Sequence, residues 1–313
     1  MQQAQSSATP QRSVWMAAAV FLIATALFSI PLFWIQQHFR IATWVFNLGS
    51  IAPVLGGLAA LALRRPLRLP LLWLPGGGFD VQVVRRTIVG IGAALAILLL
   101  VVQFYGFFRW GLRPTELSEL PHPLAMPDDT GTIFGFVALG LLVGVTLEEF
   151  GWRTILEPTL NQKLGVLATG IAVGVCWGLW QWPVWQSLID RQESNPSRMQ
   201  ALLYAGSHMV VAVAVSLILV IIHQRMRRGR WASSVAFRVI FGLGFFLILD
   251  EESGRWQPMF AIAACSAGVA AVGYFYHWRG ERVRRVNAER RRQAASGVPS
   301  KKPKKSTAAA AKK

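Results

Sequence analysis

An all-α, multi-pass transmembrane bundle is the fold class this sequence predicts, and three observations predict it. Of the 313 residues, 53% are hydrophobic and only 15% are charged, against about 25% charged in an ordinary soluble domain. The charged residues collect in short clusters between long runs that nearly lack them. The apolar runs approach ~20 residues, the length one helix needs to cross a bilayer core.

Eight stretches fit that length or come close, at approximately 14–35, 42–63, 87–107, 131–150, 165–185, 200–222, 232–249 and 257–277. The seventh is short and the eighth is rich in small residues. The first follows Arg12 and opens like a signal peptide, but it is too long for an h-region and no A-x-A site follows, so it reads as an uncleaved anchor. With both termini in the cytoplasm, eighteen Lys and Arg flank the spans on the inner side and six on the outer, which satisfies the positive-inside rule. Glu116, Glu119, Asp128, Asp129, Asp190, Glu193, Asp250, Glu251 and Glu252 all fall outside.

The chain thus divides into a short N-terminal segment at 1–13, a transmembrane domain at 14–279 and a basic tail at 280–313. Residues 66–78 are apolar but broken by Pro66, Pro70, Pro75 and a glycine run, and are expected along the cytoplasmic interface with Trp73 as anchor. The tail is Arg- and Lys-rich with little to bury, and is expected to be disordered. The net charge of +17 would suggest nucleic acid in a soluble protein. Here the excess lies beside spans and in a tail without interleaved aromatics, so the expected partners are membrane lipids, anionic lipid at the tail among them, and not nucleic acid. Cys176 and Cys265 sit in apolar runs without CxxC spacing or a nearby His, and read as small buried hydrophobes.

Candidate chemistry lies in three spans. The fourth ends in LEEFGWRTILEPTL. A charged residue at mid-bilayer costs roughly 3 kcal/mol on insertion scales, so it is rarely left unpaired. Glu149 and Arg153, four residues apart, share a helix face, while Glu148 is rotated by about 100°. That division suits a general base, Glu148, beside a neutralised neighbour; the plainer alternative is a salt-bridge staple. The fifth span carries CWGLWQWPVW. Trp177 and Gln181 share a face there, and Gln181 needs a hydrogen-bond partner inside an apolar run. In the seventh span Arg238 lies about 9 Å from the inner end. It either snorkels to the interface or meets the carboxylates of the fourth span. His208 in the sixth span reads as a satisfied core histidine.

Glu148-Glu149-Phe150-Gly151-Trp152-Arg153 matches the EExxxR motif of the CAAX protease and bacteriocin-processing (CPBP) family of intramembrane endopeptidases, and the chain resembles that family over about residues 130–245. Trp177-Gly178-Leu179-Trp180-Gln181-Trp182-Pro183 stands where bacterial members carry W-x-x-W-H-x-P, and Arg238 to Gly242 stand where they carry H-x-x-x-N. The resemblance implies a glutamate-activated water, Glu148, attacking a peptide carbonyl within the membrane, with Glu149 and Arg153 shaping its surroundings. The surroundings of all three motifs are present, but Gln181 and Arg238 replace the two histidines and Gly242 the asparagine. Glutamine cannot take and return a proton near neutral pH, and arginine is a permanent cation that can serve as an oxyanion donor but also ties a base into a salt bridge. With three charges on adjacent helices of the family fold, Arg238 is expected to pair with Glu148 or Glu149. A metal site of family type and other cofactors are not expected.

Three functional readings follow. The first is a degenerate member, a pseudoprotease that binds a membrane peptide, helix or lipid. The second is an active glutamate-dependent endopeptidase cleaving prenylated or transmembrane peptides. The third is a transporter with a polar pathway, against which stands the lack of an internal repeat. The style of the second motif and the lack of an organelle signal point to a bacterial plasma membrane.

Overall fold

A computed structural model describes residues 11–39, 47–62, 81–110, 136–183, 186, 197–224, 226, 229–249 and 256–295. Among the described residues every regular element is helical. Helix α1 (Gln11–His38) is followed by a 3-10 turn (Leu48–Ile51), whose Gly49 N–H is capped by the Asn47 side chain at 2.9 Å, leading into α2 (Ala52–Ala62). Helix α3 is Val81–Trp110. The short α4 (Val145–Glu149) lies between two π-helical stretches, Phe136–Gly144 and Phe150–Leu156. The chain continues as α5 (Glu157–Trp180), α6 (Arg198–His223), α7 (Arg230–Leu249) and α8 (Trp256–Ala295).

Among the described residues, five stretches are long and apolar enough to cross a membrane: Val14–Gln36, Val83–Phe104, Gly140–Trp180, Arg198–His223 and Trp256–Gln293. The protein is an integral membrane protein of the all-α class. Of the second expected span, the described residues form the apolar helix Leu48–Ala62. The stretch Gly140–Trp180 is not one crossing. Gly165 has φ 72° and ψ 178°, a backbone conformation glycine adopts without strain. The rings of Trp152 and Trp180 lie 5.9 Å apart, whereas a straight helix would separate them by ~42 Å. The chain therefore doubles back at Gly165, where the fourth and fifth spans were expected to part, with exposed Lys163 beside the bend.

Helix α6 is the centre of the bundle. Its span is 61% buried, against 28% for those of α1 and α3. It packs on α5 and α8, while α3 packs on α7 and α8, and α1 on α2. Close contact between α5 and α6 rests on glycines four residues apart. A Cβ at Gly170 would lie 2.8 Å from Leu217 Cα, one at Gly174 would strike the Val213 backbone, and one at Gly178 would lie 2.8 Å from Met209 Sδ. Rising numbers on α5 meet falling numbers on α6, so the pair is antiparallel. In lipid, where apolar surface gives no helix-specific attraction, small residues bring backbones within van der Waals range.

The expected disorder from residue 280 starts too early: α8 continues to Ala295. Arginine, alanine and glutamate are strong helix formers. Glu281 pairs with Arg284, and the Arg282 guanidinium sits 5.6 Å from the Trp278 ring centroid one turn back. The interfacial segment 66–78 and the tail beyond Ala295 lie outside the described residues.

The glycine stripe generates a stability prediction. Gly170→Leu is expected to destabilise by about 1–3 kcal/mol through overpacking, read as a lowered unfolding temperature of the purified protein in detergent. Gly206→Ala on α6, where nothing lies within 4 Å, is expected to leave that temperature unchanged or slightly raised.

Candidate functional site

The polar centre forms where α4 and its π-helical flanks meet the start of α2, the middle of α6 and the first half of α7. The π-helical stretches are the less usual part of this scaffold, since such turns recur at functional sites. They hold Glu148 and Glu149 inside the bundle, 6% and 0% exposed. Gly151 lets this segment approach α2, because a Cβ there would strike the carbonyl of Pro53.

Arg238 of α7 reaches both carboxylates. Its Nη2 donates to Glu148 Oε2 at 3.1 Å and its Nη1 to Glu149 Oε1 at 3.0 Å. Its guanidinium carbon lies 4.2 Å above the ring of Trp177. Glu148 Oε1 accepts the Ser50 hydroxyl at 2.8 Å, and Glu149 Oε2 accepts Arg153 Nε at 3.1 Å. Each of the four carboxylate oxygens therefore has a protein donor. Arg153 holds Glu149 from within the same segment, and Arg238 engages both carboxylates, so Glu148 is neutralised as well. A planar fork spans two adjacent side chains despite their angular offset, because Arg238 approaches from a different helix.

The network continues beyond the pair. Arg153 Nη2 donates to Ser216 Oγ of α6 at 3.0 Å, and its Nη1 lies 3.7 Å from Glu157 Oε2. Glu157 Oε1 is 2.8 Å from His223 Nδ1 at the end of α6, and His223 Nε2 is 3.1 Å from Ser234 Oγ of α7. Carboxylate, imidazole and hydroxyl stand in the order of a nucleophilic triad, but the group is a clasp. Ser234 is fully buried and its hydroxyl also donates to the Arg230 carbonyl at 3.0 Å. The hydroxyl thus bridges His223 and the Arg230 carbonyl, and the Glu157–His223 pair ties the end of α6 to α5 and α7.

Gln181 is drawn to another partner: its Oε1 lies 3.0 Å from His208 Nε2, so the half-buried glutamine and the histidine of α6 answer each other. Gly242 lies one turn past Arg238, where α7 crosses the π-helical stretch Phe136–Gly144; a Cβ there would be 2.8 Å from Leu141 Cδ2. The structure thus gathers Glu148, Glu149, Arg153, Trp177 and Arg238 into one centre and gives Gln181 and Gly242 neighbours other than the carboxylates. Trp185 lies outside the described residues.

Sequence reasoning missed Ser50, Glu157, Ser216, His223 and Ser234. Glu157 had a signal, since it extends the four-residue spacing of Glu149 and Arg153 by one more step. The serines had none: Ser50 is 98 positions from Glu148, and hydroxyls are common in apolar helices.

No family model matches the chain. Curated relatives do. One is Lysostaphin resistance protein A of Staphylococcus haemolyticus (strain JCSC1435), 20% identical over 253 residues, covering 81% of this chain and 63% of the relative. Another is the protein of the same name from Staphylococcus aureus (strain Newman), 19% identical over 259 residues, covering 83% and 56%. The chain is distantly similar to Lysostaphin resistance protein A. It spans less than two thirds of the length of these relatives.

Truncating one member of a buried ion network leaves its partners uncompensated, at about 3–5 kcal/mol. Arg238→Ala is accordingly expected to be strongly destabilised in thermal unfolding, and adding Glu148→Gln and Glu149→Gln is expected to recover part of the loss. An Arg238→Ala protein as stable as the parent would show that the guanidinium does not neutralise the pair.

Proposed function

We propose that this chain is a non-hydrolytic member of the CPBP type, seated in a bacterial plasma membrane with both termini cytoplasmic, which binds a membrane peptide, helix or lipid. A single observation carries the reading: all four oxygens of Glu148 and Glu149 are engaged by Arg238, Arg153 and Ser50. A general base needs an oxygen directed at a water and a partner that relays the proton. Here the fork of Arg238 stands across the pair, backed by Trp177. A locked centre of this kind serves as a rigid polar core around which the surrounding helices present a binding surface. The distant relatives carry a name that describes a resistance and not a reaction, which is compatible with a role short of catalysis.

One observation favours the hydrolytic alternative. An imidazole, His208, does stand beside Gln181, so the region is not devoid of a group able to relay protons. In that reading Arg238 must swing off Glu148 before water is activated.

The two separate in a proteoliposome assay with a prenylated peptide and a transmembrane peptide as probes, each fluorescently labelled. The expected result is saturable binding of at least one probe with no cleavage. Cleavage abolished by Glu148→Gln would establish the endopeptidase, and neither binding nor cleavage would overturn both.

A further inference from the structure

The exit of α8 from the membrane is a separate feature, independent of what the buried centre does. Trp256 opens the helix, and Tyr274, Phe275, Tyr276 and Trp278 form an aromatic cluster further along it, with ring centroids of Phe275 and Tyr276 5.9 Å apart and of Phe275 and Trp278 6.5 Å apart. Phe275, Tyr276 and Trp278 are about half exposed. Tryptophan and tyrosine collect at the two membrane–water interfaces. Trp256 and Trp278 are ~33 Å apart along a helix, close to the ~30 Å thickness of a hydrocarbon core. The aromatic residues therefore fix the height of α8 in the bilayer, and the helix beyond Trp278 stands in the headgroup layer and then in water.

Seven arginines follow: Arg279, Arg282, Arg284, Arg285, Arg290, Arg291 and Arg292, all exposed. Their heights divide them. The first four lie within ~11 Å of Trp278 along the axis. A headgroup layer is ~5–8 Å deep and the Debye length at physiological salt is ~8 Å, so these four are inside the layer or within one screening length of it. The last three lie ~18–21 Å out, beyond that reach. The first four also encircle the helix, at about 0°, 300°, 140° and 240° around its axis. The large apolar side chains exposed on these turns are Val283 and Val286, a strip too short to lay the helix flat on the membrane.

We propose that Arg279, Arg282, Arg284 and Arg285 form a collar that binds the headgroups of anionic phospholipids in the leaflet where α8 exits, and that Arg290, Arg291 and Arg292 take no part. The charge is complementary, and the collar is continuous with the aromatic belt that sets its depth. Arg282 is held against Trp278 at 5.6 Å, and Arg284 is paired with Glu281, so the collar is ordered before lipid arrives.

The test uses the full chain reconstituted with equimolar phosphatidylcholine and phosphatidylglycerol, then purified in mild detergent, with co-purifying lipids counted by mass spectrometry. Three proteins are compared: the parent, a variant with the inner four arginines changed to Gln, and one with Arg290, Arg291 and Arg292 changed to Gln. All three keep the lysines of the tail. The parent is expected to retain an excess of phosphatidylglycerol that added salt diminishes. The inner variant is expected to lose that excess and the outer variant to keep it, with unfolding temperatures showing that both are folded. No excess in the parent, an excess kept by the inner variant, or an equal loss in the outer variant each overturns the proposal. The last outcome would point to a polyanion away from the membrane, such as RNA.

Discussion

The constraint on which the rest depends is that Glu148 and Glu149 are adjacent, both buried, and inside a membrane bundle. Two such carboxylates require cations that are themselves buried. Arg238 supplies the first by forking across both, and Arg153 the second. Arg153 then requires Ser216 and Glu157, and Glu157 requires His223. Each compensation draws in another helix, until α4, α5, α6 and α7 are joined through charged groups as well as apolar packing.

Such a network tolerates little displacement, and the apolar framework is built to hold it. The stripe Gly170, Gly174 and Gly178 brings α5 onto α6, the helix that contributes Ser216 and His223. Gly151 brings the π-helical segment onto α2, next to the turn that carries Ser50. Phe21 and Trp152 pack edge to face at 5.2 Å and tie α1 to the same segment. The glycines act through backbone proximity, which is also what allows short donors such as serine to reach a carboxylate on another helix. A site assembled this way differs from a catalytic cleft in its balance. The donors that would stabilise charge developing in a reaction are already satisfied by charge that is permanently present.

Much of the fold was legible because hydropathy and length are local properties. The spans near 14–35, 87–107, 200–222 and 257–277 correspond to helices α1, α3, α6 and α8. The bend between the fourth and fifth spans was legible from the polar run ending at Gly165. The end of α8 was misread because low hydropathy was taken as disorder, whereas side-chain pairs within the helix sustain it to Ala295 without a core to bury. At the site, Glu149–Arg153 was readable because it is an i,i+4 pair, and the pairing of Arg238 because the family resemblance sets its helix beside the one that carries the two carboxylates.

The sequence by itself determined that this is a helical membrane protein, that charge is buried at Glu148, Glu149 and Arg153, and that Arg238 stands in an apolar helix. Those conclusions follow from the energy of placing charge in an apolar medium, which depends on residue type and spacing alone. Only the tertiary structure decided that one arginine spans both carboxylates, that Ser50 closes the remaining oxygen of Glu148, and that Gln181 turns to His208. These are choices among several partners of the right chemistry. Helix rotation, close approach at glycine and the reversal at Gly165 set which of them come within hydrogen-bonding distance.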